Sequence, residues 1–511
     1  MKLQIRLGVL AISASIAVSV QAAEPPLWVS DSRPTAQAQE MRLALSDAER
    51  HGLELDSYRS SLANSELQRV ASGTADAELL NRYEQDLSEL TARFVTHLRY
   101  GRVSPRAAGF DLPTIAGGKD IAEAVHRLAH AHSIDAELAT LEPRPVPYRL
   151  LNEALVRYRQ LARDRTIQPL PALSGPALRL GEDYAGAMQL RRRLMTLGDL
   201  SATANDADNS TTLDAELTEA LKRFQSRHGL AADGALGKQT LAALNVPLRQ
   251  RVRQIELSME RWRWLSALPR PEIVINIPQF MLYALPRPER PNEQLLEMPV
   301  IVGRSRDRTP IFTASIEQVI FNPYWDVPSS IVRKELLPKI RKDVSYLERH
   351  HFEIVRGGGD DAKVQQPTPA AIDALEAGEL RLRQQPGSDN ALGPVKFVLP
   401  NPYSIRLHGT AEPGLFAFSQ RAFSHGCIRV SDPAALTAYV LANAPGEWDA
   451  AAIETALCGT RPRRVTLDVP VRVMVFYATA AATASRGVMF STDLYGHDAR
   501  LEKLLTSSQR T

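Results

Sequence analysis

Cysteine is scarce in this 511-residue chain, which contains only Cys427 and Cys458. Two cysteines are too few for the disulfide framework that stabilises many small secreted proteins. An excess of charge is also missing, since 61 Lys and Arg residues oppose 58 Asp and Glu residues, for a formal net charge of +3. This balance gives no support for a nucleic-acid-binding protein, which carries a concentrated positive surface.

Long hydrophobic runs are missing except at the N-terminus. Lys2 and Arg6 accompany an apolar run from Leu7 to Val20, and Val20-Gln21-Ala22 offers small residues for cleavage. Because the run is shorter than the roughly 20 residues of a membrane span, we predict a signal peptide over residues 1–22. An uncleaved signal anchor is the alternative. We expect an exported protein that is soluble or tethered by its N-terminus.

The chain does contain a group of candidate catalytic residues around Cys427. His425 and Gly426 precede it, and Ser431-Asp432-Pro433 has the capping side chain and proline typical of a helix start. We therefore expect Cys427 in a loop that enters a helix, where the helix dipole favours a thiolate. A neighbouring histidine can take the thiol proton, and a glycine lets backbone N–H groups bind an oxyanion.

A predicted strand lies upstream of this group of residues. Residues Tyr403 to Leu407 alternate between apolar and polar and lead into His408-Gly409-Thr410. Three non-catalytic roles for Cys427 remain open. It could be a buried structural cysteine, it could form a disulfide with Cys458, or it could join His408 and His425 at a metal site. No further Cys or His stands at zinc-like spacing.

His408-Gly409-Thr410, followed by Ser424-His425-Gly426-Cys427-Ile428-Arg429, resembles the signature of the L,D-transpeptidases, the YkuD-type cell-wall enzymes. The similarity extends from near Arg249 to the C-terminus and points to the long, Gram-negative, periplasmic branch of that family. The other segments that carry it are Glu260–Trp264, Asn276–Pro278, Val302–Gly303, Thr309–Pro310, Asn322–Pro328 and Gly393–Asn401.

The resemblance implies roles for individual residues. The implied catalytic residues are Cys427 as nucleophile, His408 as proton donor and acceptor, Gly409 orienting His408, Gly426 in the oxyanion hole and His425 supporting the loop. The predicted substrate-binding residues are Tyr403, Ser424 and Arg429. We expect neither a metal nor a cofactor.

The implied reaction is peptidoglycan 3→3 cross-linking through a cysteine thioester, with release of D-alanine. The resemblance also implies a periplasmic location, stem peptides as substrates, carbapenems as covalent inhibitors of Cys427, and association with other cell-wall synthases. Two alternatives stay open: an L,D-carboxypeptidase that uses the same site, and a non-catalytic peptidoglycan-binding protein.

The predicted fold class is α+β and multidomain. Helical spacing of apolar residues predicts a helical scaffold over residues 24–175. His126 and His130 lie one helical turn apart there, but without the acidic neighbour of a zinc motif, so we expect surface histidines. Between helical patterns, residues 176–247 contain in order Leu197-Gly198, Phe224-Gln225, Gly229-Leu230, Asp233-Gly234 and Thr240-Leu241. This order resembles a small three-helix peptidoglycan-binding domain, with a plain helical spacer as the alternative. Residues 248–271 form a connecting amphipathic helix.

From residue 272 to residue 511 the apolar period changes to two, which predicts a mostly β catalytic domain carrying helices. The family resemblance implies a β-sandwich here. Within this domain, about residues 335–391 are polar and glycine-rich. The resemblance implies an inserted lid at this place, and lids commonly gate substrate entry. A disordered surface loop is the alternative.

Overall fold

The computed structural model describes residues 25–113, 118–201, 211–266, 268–290 and 292–507. The predicted signal peptide lies outside these described residues, as does most of the polar loop Ser201–Thr212. Within the described ranges, no helix is both long and apolar enough to cross a membrane.

The N-terminal region is helical, as the apolar spacing predicts. Its core includes Trp28, Leu87, Phe94 and Leu128, each at most 2% exposed. His126 and His130 stack on each other at the surface, and no group of three or more potential ligands in the described residues could hold a metal ion. The α-helices are Ala36–Ser46, Asn64–Ser72, Ala77–Tyr100, Pro105–Ala108, Lys119–Ala129, Ile134–Leu141 and Val146–Arg163.

A smaller unit with three helices follows, at the place predicted for the peptidoglycan-binding domain. The helices are Ala187–Leu197, Ala215–Arg227 and Lys238–Leu244, and a short strand pair joins Ala177–Leu178 to Leu236–Gly237. Asp214 begins the second helix by accepting a hydrogen bond from the Leu217 N–H at 2.7 Å.

The connecting helix, Leu248–Arg263, joins the scaffold to the C-terminal domain. Its last turn is buried, as the full burial of both Arg261 and Arg263 shows. Arg261 donates to Asp498 Oδ1 at 2.6 Å, and the Glu260 carboxylate accepts the Val103 N–H at 3.0 Å. The helix therefore contacts the scaffold on one side and the C-terminal domain on the other through buried charged groups, not only through the predicted apolar face.

The C-terminal domain is built on a nine-stranded sheet, which we call the catalytic sheet. Met281–Ala284 pairs with Leu296–Gly303 as well as with Ile273–Asn276, so the sheet closes on itself. The predicted fold class, a helical N-terminal region followed by a mostly β domain, is confirmed. The strands in spatial order are Ala422–Ser424, Leu296–Gly303, Ile428–Val430, Leu407–His408, Val395–Val398, Phe312–Phe321, Arg463–Phe476, Ile273–Asn276 and Met281–Ala284. The accompanying helices are Pro433–Leu441, Ala450–Leu457 and His497–Ser507, and a hairpin joins Ala480–Thr483 to Gly487–Phe490.

The predicted lid is a folded unit with its own core, so the alternative of a disordered loop is wrong. The lid core includes Val327, Ile340, Ile354, Leu375 and Leu382. The lid sheet has the order Lys363–Gln365, Phe352–Arg356, Arg381–Gln384 and Trp325–Asp326. The lid helices are Ser329–Ile331, a π-helical turn Val332–Leu336, Leu337–Lys342, Tyr346–Arg349 and Pro369–Ala377.

Candidate active site

Cys427 lies in a tight loop between two strands, Ala422–Ser424 and Ile428–Val430. It is half-buried and its thiol is free, and Cys458 is exposed and also free. The expectation that the loop enters a helix is wrong. The helix does begin at Pro433 with an Asp432 cap, but the residues Ile428–Val430 first add a strand to the catalytic sheet. A helix dipole therefore does not act directly on Cys427.

His408 is on the strand next to the Cys427 loop. The two strands run parallel, with Leu407 opposite Ile428 and His408 opposite Arg429. The Ile428 N–H donates to the Arg406 carbonyl at 2.9 Å, which extends this pairing toward Cys427. Side chains alternate along a strand, so Leu407 and Ile428 face the core, where both are fully buried. His408 and Cys427 consequently lie on the same opposite face, on adjacent strands.

The His408 imidazole is buried and held in one orientation. Its Nδ1 lies 2.7 Å from the carbonyl oxygen of Gly409, which can only accept, so Nδ1 carries the proton. Burial, followed by the positive charge of Arg429, lowers the pKa of His408 to about 3. The ring is therefore neutral at physiological pH, with the lone pair on Nε2. Such a ring can accept a proton from a thiol.

Ser424 and Gly426 define the shape of the Cys427 loop. The Ser424 hydroxyl donates to the Cys427 carbonyl at 2.5 Å and accepts the Gly426 N–H at 3.0 Å. The Gly426 N–H is therefore occupied, which does not fit its predicted part in an oxyanion hole. Gly426 has φ +110°, and a Cβ there would lie 3.2 Å from Ile405 Cδ1, so a larger residue would strain the loop.

Thr309 and Tyr495 support the same loop from behind. The Thr309 hydroxyl donates to the Gly426 carbonyl at 2.8 Å, and the Thr309 N–H donates to the Tyr495 hydroxyl at 3.2 Å. That hydroxyl in turn donates to the Gly303 carbonyl at 2.6 Å. Neither role was predicted. Thr309 belongs to a segment that carried the resemblance, but Tyr495 stands outside any motif and no sequence pattern pointed to it.

His425 is exposed and contacts the lid. Its Nε2 lies 2.8 Å from Glu335 Oε1, on the π-helical turn at the start of the lid, and it also contacts the Arg304 guanidinium. The backbone N–H of Arg304 donates a hydrogen bond to the Ser424 carbonyl at 3.0 Å. His425 thus joins the Cys427 loop to the lid, and Glu335 is a residue that no sequence motif indicated.

Of the remaining predicted residues, Arg429 lies at the site, whereas Tyr403 contacts other parts of the molecule. Arg429 is on the Cys427 strand, and its Nη1 lies 3.1 Å from Glu412. Tyr403 donates to Asp111 of the scaffold region at 2.6 Å, and this bond raises its pKa. Its ring packs against Phe312.

The predicted strand Tyr403–His408 is wrong except for its last two residues. The Asn401 side chain accepts the N–H groups of Tyr403 and Ile405 at 3.1 and 3.0 Å, and Ser404 has φ +56°. These local bonds favour a turn, because an asparagine side chain can replace a strand partner. The turn directs Tyr403 toward the scaffold.

Comparison with known families agrees with this architecture. Residues 270–457 match the family described as "L,D-transpeptidase catalytic domain". Residues 184–244 match the family described as "Putative peptidoglycan binding domain", and residues 21–155 match the "Scaffold domain". The resemblance seen in the sequence is confirmed for the catalytic and peptidoglycan-binding domains.

One relative is a Haemophilus influenzae protein named "Putative L,D-transpeptidase". It is 32% identical over 236 residues, which cover 45% of this chain and 45% of that protein. The chain therefore spans about half the length of the curated relative that it matches.

Proposed function

We propose, from the premise that residues 270–457 form an L,D-transpeptidase catalytic domain, that this protein is a peptidoglycan L,D-transpeptidase that forms 3→3 cross-links. The observation that supports this most is the register of two strands, which puts Cys427 and the neutral His408 on one face. Acyl transfer by a cysteine requires a thiol and an imidazole that can accept its proton, and both groups are present on this face.

In the proposed first step, His408 Nε2 takes the thiol proton while Cys427 Sγ attacks the carbonyl of the third stem residue, meso-diaminopimelate. The tetrahedral intermediate collapses, the peptide bond to the terminal D-alanine breaks, and His408 returns the proton to the leaving amine. A thioester remains on Cys427. Because its pKa is lowered, the His408 imidazole is neutral before the reaction begins, and Nε2 carries no proton.

In the second step, the side-chain amine of a neighbouring diaminopimelate attacks the thioester. His408 takes a proton from the attacking nitrogen and returns it to the departing sulfur, so thiol and neutral imidazole are restored. The oxyanion needs an N–H donor. Since Gly426 is engaged by Ser424, the Cys427 N–H, which has no acceptor within the described residues, fits this role better.

The other proposed features follow from the same reaction. The substrates would be peptidoglycan stem peptides, with residues 184–244 holding the wall near the site. A polymer of this kind lies outside the cytoplasm, so we propose a periplasmic protein, either soluble or tethered. Carbapenems would acylate Cys427, and other cell-wall synthases are proposed partners.

Incubation with purified disaccharide-tetrapeptide, followed by mass analysis, tests this proposal. A cross-linked dimer with free D-alanine is the expected product. Tripeptide without dimer would replace the proposal by an L,D-carboxypeptidase, in which water resolves the thioester at the half-buried Cys427. Unchanged substrate that still binds the protein would leave a peptidoglycan-binding protein.

A further inference from the structure

Two cationic side chains without an acidic partner flank His408. Lys396 is directly opposite His408 on the neighbouring antiparallel strand, so both side chains point to the same face. Arg406 comes two residues before His408. Val395 and Phe397, on either side of Lys396, are fully buried in the core, which directs Lys396 to the face that carries His408 and Cys427.

These two cations differ from others nearby in having no partner. Within the ranges that the structure describes, no hydrogen bond or ion pair involves the Lys396 ammonium or the Arg406 guanidinium, although both are partly buried. Other basic groups nearby are paired, namely Arg429 with Glu412, Arg464 with Asp360 and Arg381 with Asp326.

The electrostatics indicate an excess of positive charge. Burial, followed by the charge of Arg406, lowers the pKa of Lys396, and Arg406 also contributes to the lowered pKa of His408. Asp326 is near enough to raise the pKa of Lys396, but its carboxylate is 2.9 Å from Arg381. Partly desolvated cations that repel each other are stabilised when an anion binds between them.

We propose that Lys396 and Arg406 form a carboxylate subsite that binds the terminal carboxylate of the leaving D-alanine. This inference depends on the proposed function. A guanidinium binds a carboxylate through two N–H groups, and an ammonium adds a point charge. The subsite would select donor stems that end one residue after the attacked carbonyl.

The choice of this carboxylate follows from the order of the strands. The strand Leu407–His408 lies between two others in the sheet. One is Ile428–Val430, which directly follows Cys427, and the other is Val395–Val398, which contains Lys396. His408 must protonate the leaving nitrogen, so this nitrogen lies on the His408 side of Cys427. The alanine carboxylate is attached one carbon beyond that nitrogen. Because adjacent strands are roughly 4.8 Å apart, it falls between His408 and Lys396.

The test compares two synthetic donors, a stem tetrapeptide with a free terminal carboxylate and the same peptide ending in a carboxamide. For the acid donor, Lys396→Met and Arg406→Met should each lower kcat/KM for release of the terminal residue by about 10- to 100-fold, the range for a charge-assisted hydrogen bond. The wild type should lose a similar factor on the amide, and each variant should distinguish the two donors less than the wild type does. Lys363→Met, at an exposed lysine of the lid, is the matched control and should behave as wild type.

Equal losses on both donors would overturn the proposal. Lys396→Arg should recover much of the activity on the acid donor.

A wild type that releases no residue from either donor would refute the proposed reaction, and the subsite would then be tested by binding. Calorimetry with Cys427→Ala should show tighter binding of the acid peptide than of the amide. The added Lys396→Met change should reduce that preference. Equal affinities of Cys427→Ala for both peptides would overturn the subsite.

Discussion

The catalytic sheet and the lid are built differently. The core of the catalytic sheet is continuous with that of the three-helix unit and the connecting helix, so Phe224, Ile255 and Val473 belong to one cluster. The lid has a separate and smaller core. The two candidate catalytic residues, His408 and Cys427, are therefore on the catalytic sheet, whose larger core makes it more rigid than the lid. The lid contacts the Cys427 loop where Glu335 Oε1 lies 2.8 Å from His425 Nε2, both side chains being partly exposed.

This difference predicts that changes in the catalytic sheet affect every acyl donor, whereas changes in the lid affect large donors more. A packed core resists local opening, and a small satellite core opens more easily. Each of the following experiments tests one side of this comparison.

The largest effect is expected from Cys427→Ser. A serine hydroxyl is a far weaker nucleophile than a thiolate, so cross-linking and the covalent carbapenem adduct should both be lost. Cross-linking assays and intact-mass analysis measure this. Cys458→Ala is the matched control, and should retain activity because that thiol is exposed and free. Turnover near wild type in Cys427→Ser would contradict the proposed mechanism.

The two histidines should differ next. His408→Ala removes the buried base and should lower carbapenem acylation by at least about 100-fold, the lower range for general-base catalysis. His425→Ala removes an exposed contact to the lid and should leave a measurable fraction. Stopped-flow acylation of folded variants measures both. The reverse order would show that His425 is the base.

Acid should destabilise the catalytic sheet and scaffold through their shielded histidines. Burial lowers the pKa of His97 and His408 to about 3 and of His497 to about 4. The unfolded chain therefore binds protons below about pH 6.5 that the folded chain does not, so stability falls as the pH drops through this range. At pH 5.5 each histidine should cost about 1.4 kcal/mol relative to pH 7.5.

Urea unfolding at pH 7.5, 6.5 and 5.5 measures this loss. A midpoint that stays constant or rises toward pH 5.5 would contradict the prediction.

The smallest effect is expected in the lid. Glu335→Gln weakens a partly exposed pair, worth at most about 1 kcal/mol, so turnover of large muropeptides should fall about two- to fivefold. Carbapenem acylation should change less, because a small ring-strained donor needs less alignment. Glu348→Gln, at an exposed lid residue that forms no ion pair within the described chain, is the control. Equal losses for both donors would mean that Glu335 only stabilises the fold.

Much of the fold could be predicted from sequence because local periodicity determines it. The helical N-terminal region and the mostly β C-terminal domain are as expected. The error at Tyr403–Arg406 arose because alternation alone ignores the Asn401 side chain. The error after Cys427 arose because a three-residue strand is too short to show periodicity.

Only the residues of the candidate site that belong to its sequence motif could be predicted. His408 and Cys427 are both part of a recognisable signature. Lys396, Glu335 and Tyr495 were missed, because their positions near the site depend on contacts between segments that are distant in the sequence. Alternation in Val395-Lys396-Phe397-Val398 does turn Lys396 away from the core, but only the strand order puts it beside His408.

The parallel register of Leu407–His408 with Ile428–Arg429 makes chain length, and not only residue identity, part of the active site. Deleting one residue before His408 would exchange the faces of Leu407 and His408, sending the imidazole into the core and a leucine to the face that carries Cys427. A two-residue deletion would restore the face but move the ring by roughly 7 Å along the strand. Substitutions in these two strands can therefore reduce activity by degrees, whereas an insertion or deletion should abolish it.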